Sequence, residues 1–142
     1  MSIFLEPWVA DLLAAARVGR LGTVSPDGRP HLVPVCYAVV SSGTIAIAID
    51  EKPKSGRPLA RLRNITRDPR VSFLVDRFSD DWDQLAWVRL DGQAAVVPGR
   101  ERPAVLAALR DRYPQYRQMA LEALPLILIE AETVTSWRWA GA

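Results

Sequence analysis

"GRLGTVSPDGRPHLVPV", residues 19–35, is the stretch that decides the fold. Two β-like runs flank "SPDG". Pro26 presets φ for a turn, and Asp27-Gly28 is suited to the positive φ of a tight hairpin. The second run continues through "CYAVV". "GTIAIAID" (43–50) then follows the breaker "SSG" as a third strand. Three strands joined by short turns predict an antiparallel meander.

The same reading extends outward. "EPWVADLLAAARVG" (6–19) is a short helix, with Trp8, Leu12, Leu13 and Ala16 at helical spacing and Gly19 at its end. "SGRPLARLRNI" (55–65) is a second helix. It is expected to begin near Gly56 or Arg57, since Pro58 is tolerated only in a first turn, and Asp68-Pro69 stops it. "RVSFLVDRF" (70–78) is strand four. "QLAWVRLDGQAAVV" (84–97) is strand five, bulged or bent at Gly92. "RERPAVLAALRDRYP" (100–114) and "QYRQMALEALP" (115–125) read as helices separated by Pro114. "LILIEAETVTSWRW" (126–139) closes the chain as one strand or a pair, with Thr133, Thr135, Trp137 and Trp139 on one side. The expectation is a single domain over 1–142, mainly β with helices: six antiparallel strands in a barrel plugged by helices.

Composition narrows the classes. The 142 residues are 49% hydrophobic and 24% charged, which suits one globular domain. A net charge of +2 is too small for a general nucleic-acid binder. One cysteine permits no intrachain disulfide, and Cys36 with His31 cannot make a zinc site. With no signal-peptide pattern and no apolar run of membrane-spanning length, the expected location is the cytoplasm, with no membrane partner.

Positive charge gathers in "DEKPKSGRPLARLRN" (50–64). On a helix beginning near Arg57, residues Arg57, Arg61 and Asn64 share a face at i, i+4 and i+7, while Leu59, Leu62 and Ile65 turn toward a core. Lys52 and Lys54 stand just before it. Open N–H groups of the first turn, with these cations, suit a phosphate or carboxylate. Spacing leaves two readings open, a solvated basic helix and an anion site. A nucleic-acid patch fits less well, because no aromatic stacking surface accompanies it. Arg63 points off this face and is expected to matter least.

No nucleophile–base constellation is present in the sequence. His31 reads as structural, Cys36 as apolar filler, and Asp80, Asp81 and Asp83 as a solvated turn rather than a metal site. Neither a phosphate-binding Walker loop nor a dinucleotide-binding glycine pattern occurs. An enzyme built this way draws its reactivity from a cofactor.

Three segments taken together, "GRLGTVSPDGRPHLVPV" (19–35), "RLRNITRDPRVSFLVD" (61–76) and "DDWDQLAWVRLDGQAAVV" (80–97), resemble the pyridoxamine 5'-phosphate oxidase-like split β-barrel family. The "DDWDQLAWVRLDG" run points to its subgroup of deazaflavin (coenzyme F420)-dependent oxidoreductases. The resemblance implies a homodimer of six-stranded split barrels with cofactor sites at the subunit interface. It implies hydride transfer between reduced F420 and a small conjugated substrate. Flavin mononucleotide (FMN), in an oxidase-like enzyme, is the alternative cofactor. Haem, or a flavin or haem carrier without turnover, is the further one. The ring would lie against Val33, Pro34, Val35 and the strand ending at Ile49-Asp50. The phosphate-bearing tail would meet Lys52, Lys54, Arg57, Arg61 and Asn64. Trp137, Arg138 and Trp139 would close the site from the neighbouring subunit, although dimer-core packing is the simpler use of the tryptophans. Relatives carry a compact "R-x-K-x-x-N" pattern. Here Arg61 takes the Lys place and Asn64 the Asn place, but Leu59 replaces the first Arg, and "KPKSGRP" looks inserted ahead of it.

Overall fold

A computed structural model describes residues 3–49 and 59–140. The chain forms α1 (Pro7–Ala15), β1 (Gly19–Val24), β2 (Pro30–Val35), β3 (Ala38–Ser41), β4 (Thr44–Ala48), α2 (Ala60–Arg67), β5 (Arg70–Arg77), β6 (Ala86–Pro98), α3 (Pro103–Arg112) and β7 (Pro125–Arg138). The strands make one antiparallel sheet in the order β2-β1-β5-β6-β7-β4-β3.

Seven strands appear where six are expected, and the sheet does not close. The cause lies at Cys36-Tyr37, which breaks the run read from sequence as one strand. Tyr37 is fully buried. Its N–H donates to the Tyr113 hydroxyl (3.1 Å) instead of a ladder carbonyl, and its own hydroxyl donates to the Leu13 carbonyl. The run therefore switches partners. β2 pairs with β1 at one edge of the sheet, and β3 pairs with β4 at the other. Val35 and Ala38 are three Cα steps apart, at most about 11 Å. The two edges must meet at this corner, so the sheet curls into a barrel without a continuous ladder.

The β1–β2 turn is a three-residue loop. Ser25 N bonds Arg29 O and Gly28 N bonds Ser25 O, both at 2.9 Å. Only Gly28 takes positive φ (84°), so Asp27 does not share it as expected. In β6 the register against β7 shifts between Asp91 and Gly92, the predicted bulge. The β7 backbone passes so close that a Cβ on Gly92 would lie 2.0 Å from the Glu130 carbonyl oxygen. The last strand is a single element rather than a pair.

The core has two compartments. Leu21, Phe73, Leu90, Ile127 and Ile129 fill the barrel with Val9, Leu12 and Leu13 of α1. Ala46 and Ala48, on the other face of β4, meet Leu106, Leu109, Tyr113 and Leu121. That two-sided burial explains the unbroken apolar run of β4, with small residues where α3 packs closely.

Two helix boundaries differ from expectation. α2 begins at Ala60, after Leu59 as an extended N-cap (ψ 149°), rather than near Gly56 or Arg57. Residues 115–125 are not an α-helix but two 3-10 turns, Pro114–Gln118 and Leu121–Ala123. The Arg110 guanidinium explains this. It donates to the carbonyls of Tyr116 (3.1 Å) and Met119 (2.8 Å) and grips Glu122 (2.6 Å), fixing a loop conformation.

Candidate functional site: the open end of the barrel and the outer sheet face

α2 lies beside β1 and sends Leu62 and Ile65 into the barrel core. Its polar residues divide unevenly. Asn64 is 3% exposed and donates through Nδ2 to the Oγ1 of Thr23 (3.0 Å), itself 3% exposed. The Asn64 Oδ1 accepts from the Arg67 guanidinium (3.4 Å), which also donates to the Val24 carbonyl. Asn64 is thus spent on joining the helix to the hairpin. Arg61, one turn earlier, is half-buried, and its Nε is buried with no partner. Among the described residues Arg61 makes no hydrogen bond or ion pair. Arg63 is exposed. Arg61 and Asn64 are the described part of the predicted basic face. Asp50, Lys52, Lys54 and Arg57 lie outside the described residues.

The residues expected against a cofactor ring alternate, as strand geometry demands. Val33 and Val35 turn inward against the core, whereas Pro34 is exposed on the outer face. Ile49 is buried in the barrel.

The outer face of β2, β1, β5, β6 and β7 carries a second set. Register places Pro34, Arg20, Leu74, Arg89 and Thr135 in one row. The neighbouring row is Leu32, Gly22, Ser72, Asp91 and Thr133, and Asp76, Trp87 and Trp137 form a third. Leu32 is 70% exposed and Trp137 41% exposed. Opposite charges alternate with these apolar groups: Arg20 pairs with Asp76 (2.8 Å) and Arg89 with Asp91 (2.9 Å). Partial burial works against the Asp91 charge, but the Ser72 hydroxyl (2.5 Å) and Arg89 outweigh it and hold the carboxyl below its usual range.

The expected aromatic closure is divided. Trp137 faces outward opposite Trp87. Arg138 turns back, its guanidinium 4.9 Å from the Trp8 ring of α1. Trp139 lies past the strand end, its N–H on the Leu85 carbonyl (3.1 Å). Trp137 and Arg61 therefore stand on opposite sides of the sheet within one chain. Thr23 is the residue that sequence reasoning passed over. Its signal was present, since it lies two positions after the inward Leu21 and so shares the core side.

Among the described residues no cluster of three His, Cys, Asp or Glu is placed to hold a metal, and no helix is long and apolar enough to cross a membrane.

The sequence pattern of the pyridoxamine 5'-phosphate oxidase family matches residues 5–138. The 5a,11a-dehydrotetracycline/5a,11a-dehydrooxytetracycline reductase of Streptomyces rimosus is 37% identical over 97 residues. That match covers 63% of this chain, and the chain spans 63% of the reductase. Among solved structures, the conserved hypothetical protein Rv2991 of Mycobacterium tuberculosis superposes with a TM-score of 0.74 at 31% identity, over 96% of this chain and 86% of that one. A protein titled F420 reductase superposes with a TM-score of 0.67 at 20% identity, over 93% and 98% of the two chains, a likeness of fold.

Proposed function

The chain belongs to the pyridoxamine 5'-phosphate oxidase family, and from that membership we propose that it is an F420-dependent oxidoreductase reducing a small conjugated organic substrate, working as a homodimer. The observation that carries the enzymatic reading is the identity shared with the dehydrotetracycline reductase. The residues present fit an anionic cofactor, because the Arg61 Nε is buried and has no partner among the described residues. When bound and reduced, the deazaflavin supplies a hydride.

The chain's own tasks are binding, orientation and exclusion of water. Arg61 receives an anionic oxygen of the cofactor. Asn64 and Thr23 hold α2 in place so that the guanidinium is presented at a fixed position. Lys52, Lys54 and Arg57 add positive charge ahead of the helix. Val33, Pro34, Val35 and Ile49 supply apolar surface near the ring. The dimer reading rests on the outer face. It mixes exposed Leu32, Pro34, Leu74 and Trp137 with both signs of charge, which suits contact with its own copy about a two-fold axis. It also lets Trp137 of one copy reach a ligand held by Arg61 of the other, as one chain alone does not.

Titrating the protein with F420 and with FMN, following fluorescence, tests the cofactor. F420 is expected to bind a colourless protein, more weakly as salt rises. Preferential retention of FMN would overturn the deazaflavin assignment. Indifference to both would overturn the enzymatic reading.

A further inference from the structure

The outer-face row of Leu32, Gly22, Ser72, Asp91 and Thr133 has a gap in it. Gly22 stands between Leu32 and Ser72 and puts no side chain there. A Cβ at that position would lie 3.2 Å from Leu32 Cδ2 and 3.8 Å from Ser72 Cβ, so a larger residue would fill the space. Leu32 and Ser72 are two strand spacings apart, about 10 Å. The gap opens into a groove of about 500 Å³ whose lining includes Gly22, Val24, Pro30, Leu32, Arg70 and Ser72.

The polar wall of this groove has a definite sense. A serine hydroxyl has one proton to donate and two lone pairs. Ser72 gives its proton to the Asp91 carboxylate (2.5 Å). Asp91 has none to return: partial burial works against its charge, but Ser72 and Arg89 outweigh it and hold the carboxyl below its usual range. Toward the groove Ser72 therefore presents lone pairs alone. The Arg70 guanidinium, at the groove's end, is taken by Asp68 through two bonds (3.0 and 2.7 Å). Val24, Pro30 and Leu32 make the other walls apolar.

We propose that this groove is a subsite for a flat conjugated molecule carrying a hydroxyl or N–H on its edge. The ring lies on Gly22 against Leu32, and its donor meets the Ser72 oxygen. A carbonyl or carboxylate edge finds no donor at Ser72 or Asp91. Pro34, set against the cofactor ring in the proposed function, stands two residues from Leu32 on the same face. The groove thus adjoins the cofactor surface and gives the substrate a class. The subsite rests on that reading only for calling its ligand a substrate, since binding itself needs no cofactor.

Three naphthalenes that differ at one substituent test it: 2-naphthol, 2-methoxynaphthalene and 2-naphthoate. Titrated into the full-length protein, 2-naphthol is expected to shift the backbone amide NMR resonances of Gly22, Leu32 and Ser72 saturably. 2-Methoxynaphthalene keeps the ring without the donor and should bind about fivefold more weakly, the worth of one neutral hydrogen bond. 2-Naphthoate should also bind more weakly than 2-naphthol. Ser72→Ala is expected to erase the difference between naphthol and its methyl ether. Asp91→Asn should shrink it, because the amide can donate to Ser72 and release the hydroxyl proton. Gly22→Val should abolish the binding of all three. Amide spectra establish that each variant is folded, and sedimentation gives its oligomeric state. Shifts centred away from Gly22, equal affinity for naphthol and ether, or a preference that survives Ser72→Ala would overturn the subsite. So would a parent chain that ignores all three probes while Gly22→Val changes the oligomeric state, which would assign the gap to a side chain of a second copy. F420 binding without a naphthol response would sink the subsite and leave the proposed function standing. A naphthol response with the expected preference, but without F420 binding, would do the reverse.

Discussion

The arginines around α3 and those on α2 are put to opposite uses. Near α3 the guanidinium groups hold the chain together. Arg112 donates to the Ala14 carbonyl (2.5 Å) at the end of α1 and to the Tyr113 hydroxyl (3.2 Å), and lies 4.7 Å from the Tyr37 ring. Arg17 donates to the Arg112 carbonyl (2.7 Å) and stacks on Tyr113 at 4.7 Å. Arg110 fixes the 3-10 turns. Among the described residues, Arg67 at the end of α2 is the only arginine of that helix tied in this way, and the Nε of Arg61 is buried and unpaired. One residue type thus serves as fastener in one region and as open donor in the other. The difference lies in what surrounds it: free carbonyls and rings at α3, an already satisfied Thr23–Asn64 bridge at α2.

The comparison breaks most readily at Tyr113. Its hydroxyl accepts from the Tyr37 N–H and Arg112 Nε and donates to the Arg17 carbonyl (2.9 Å). Tyr113→Phe strands those groups at the corner where the sheet edges meet. It should cost about 2–3 kcal/mol in urea unfolding, with cofactor affinity unchanged. An affinity loss as large as the stability loss would erase the distinction between the regions. Asn64→Ala is the intermediate case. It removes the donor to a buried Thr23 and should cost about 1–2 kcal/mol of stability while also weakening F420 binding through misplacement of α2. Arg61→Ala sharpens the contrast: stability should stay within about 0.5 kcal/mol of the parent chain, and F420 affinity should fall about tenfold. A large stability loss instead would make Arg61 another fastener.

The smallest expected effect concerns pH. Arg110 holds Glu122 at about 2, below the usual carboxylate value of 4.5. A carboxyl lowered on folding contributes stability above its unfolded value, and that contribution is lost as pH falls through the folded one. The fastening of the 3-10 turns should therefore weaken between about pH 4.5 and 2. The pair is exposed, so the change in urea midpoint should be small. Glu122→Gln should flatten it, and a Glu122→Gln protein with the same acid dependence would show that other groups carry it.

What the sequence reveals of this fold is local. The β1–β2 hairpin follows from Pro26 and Gly28, the bulge from Gly92, and the strand β4 from its apolar run. The misread elements depend on distant residues. The break at Tyr37 is set by Tyr113, 76 positions away. The turns after Pro114 are set by the Arg110 guanidinium rather than by helix propensity. At the candidate site, Arg61 was legible as a cation on a helix. The burial of Asn64 was not, because its partner Thr23 lies 41 positions earlier. The i, i+3 spacing put Arg61 and Asn64 on one side of the helix but carried no information about which of them the hairpin would cover.

The corner at Cys36-Tyr37 has a consequence for how copies of the chain can meet. A free sheet edge is a template on which another strand can grow, and it invites aggregation. Here both edges belong to a single run of chain and are drawn to the same corner. β2 also carries Pro30 and Pro34, two positions of equal parity that offer no N–H. Proline in an edge strand sits with its nitrogen turned away from the ladder. A strand approaching β2 would therefore find missing donors on either side of Leu32. The barrel discourages extension of its own sheet and leaves face-to-face contact as the orderly route to association.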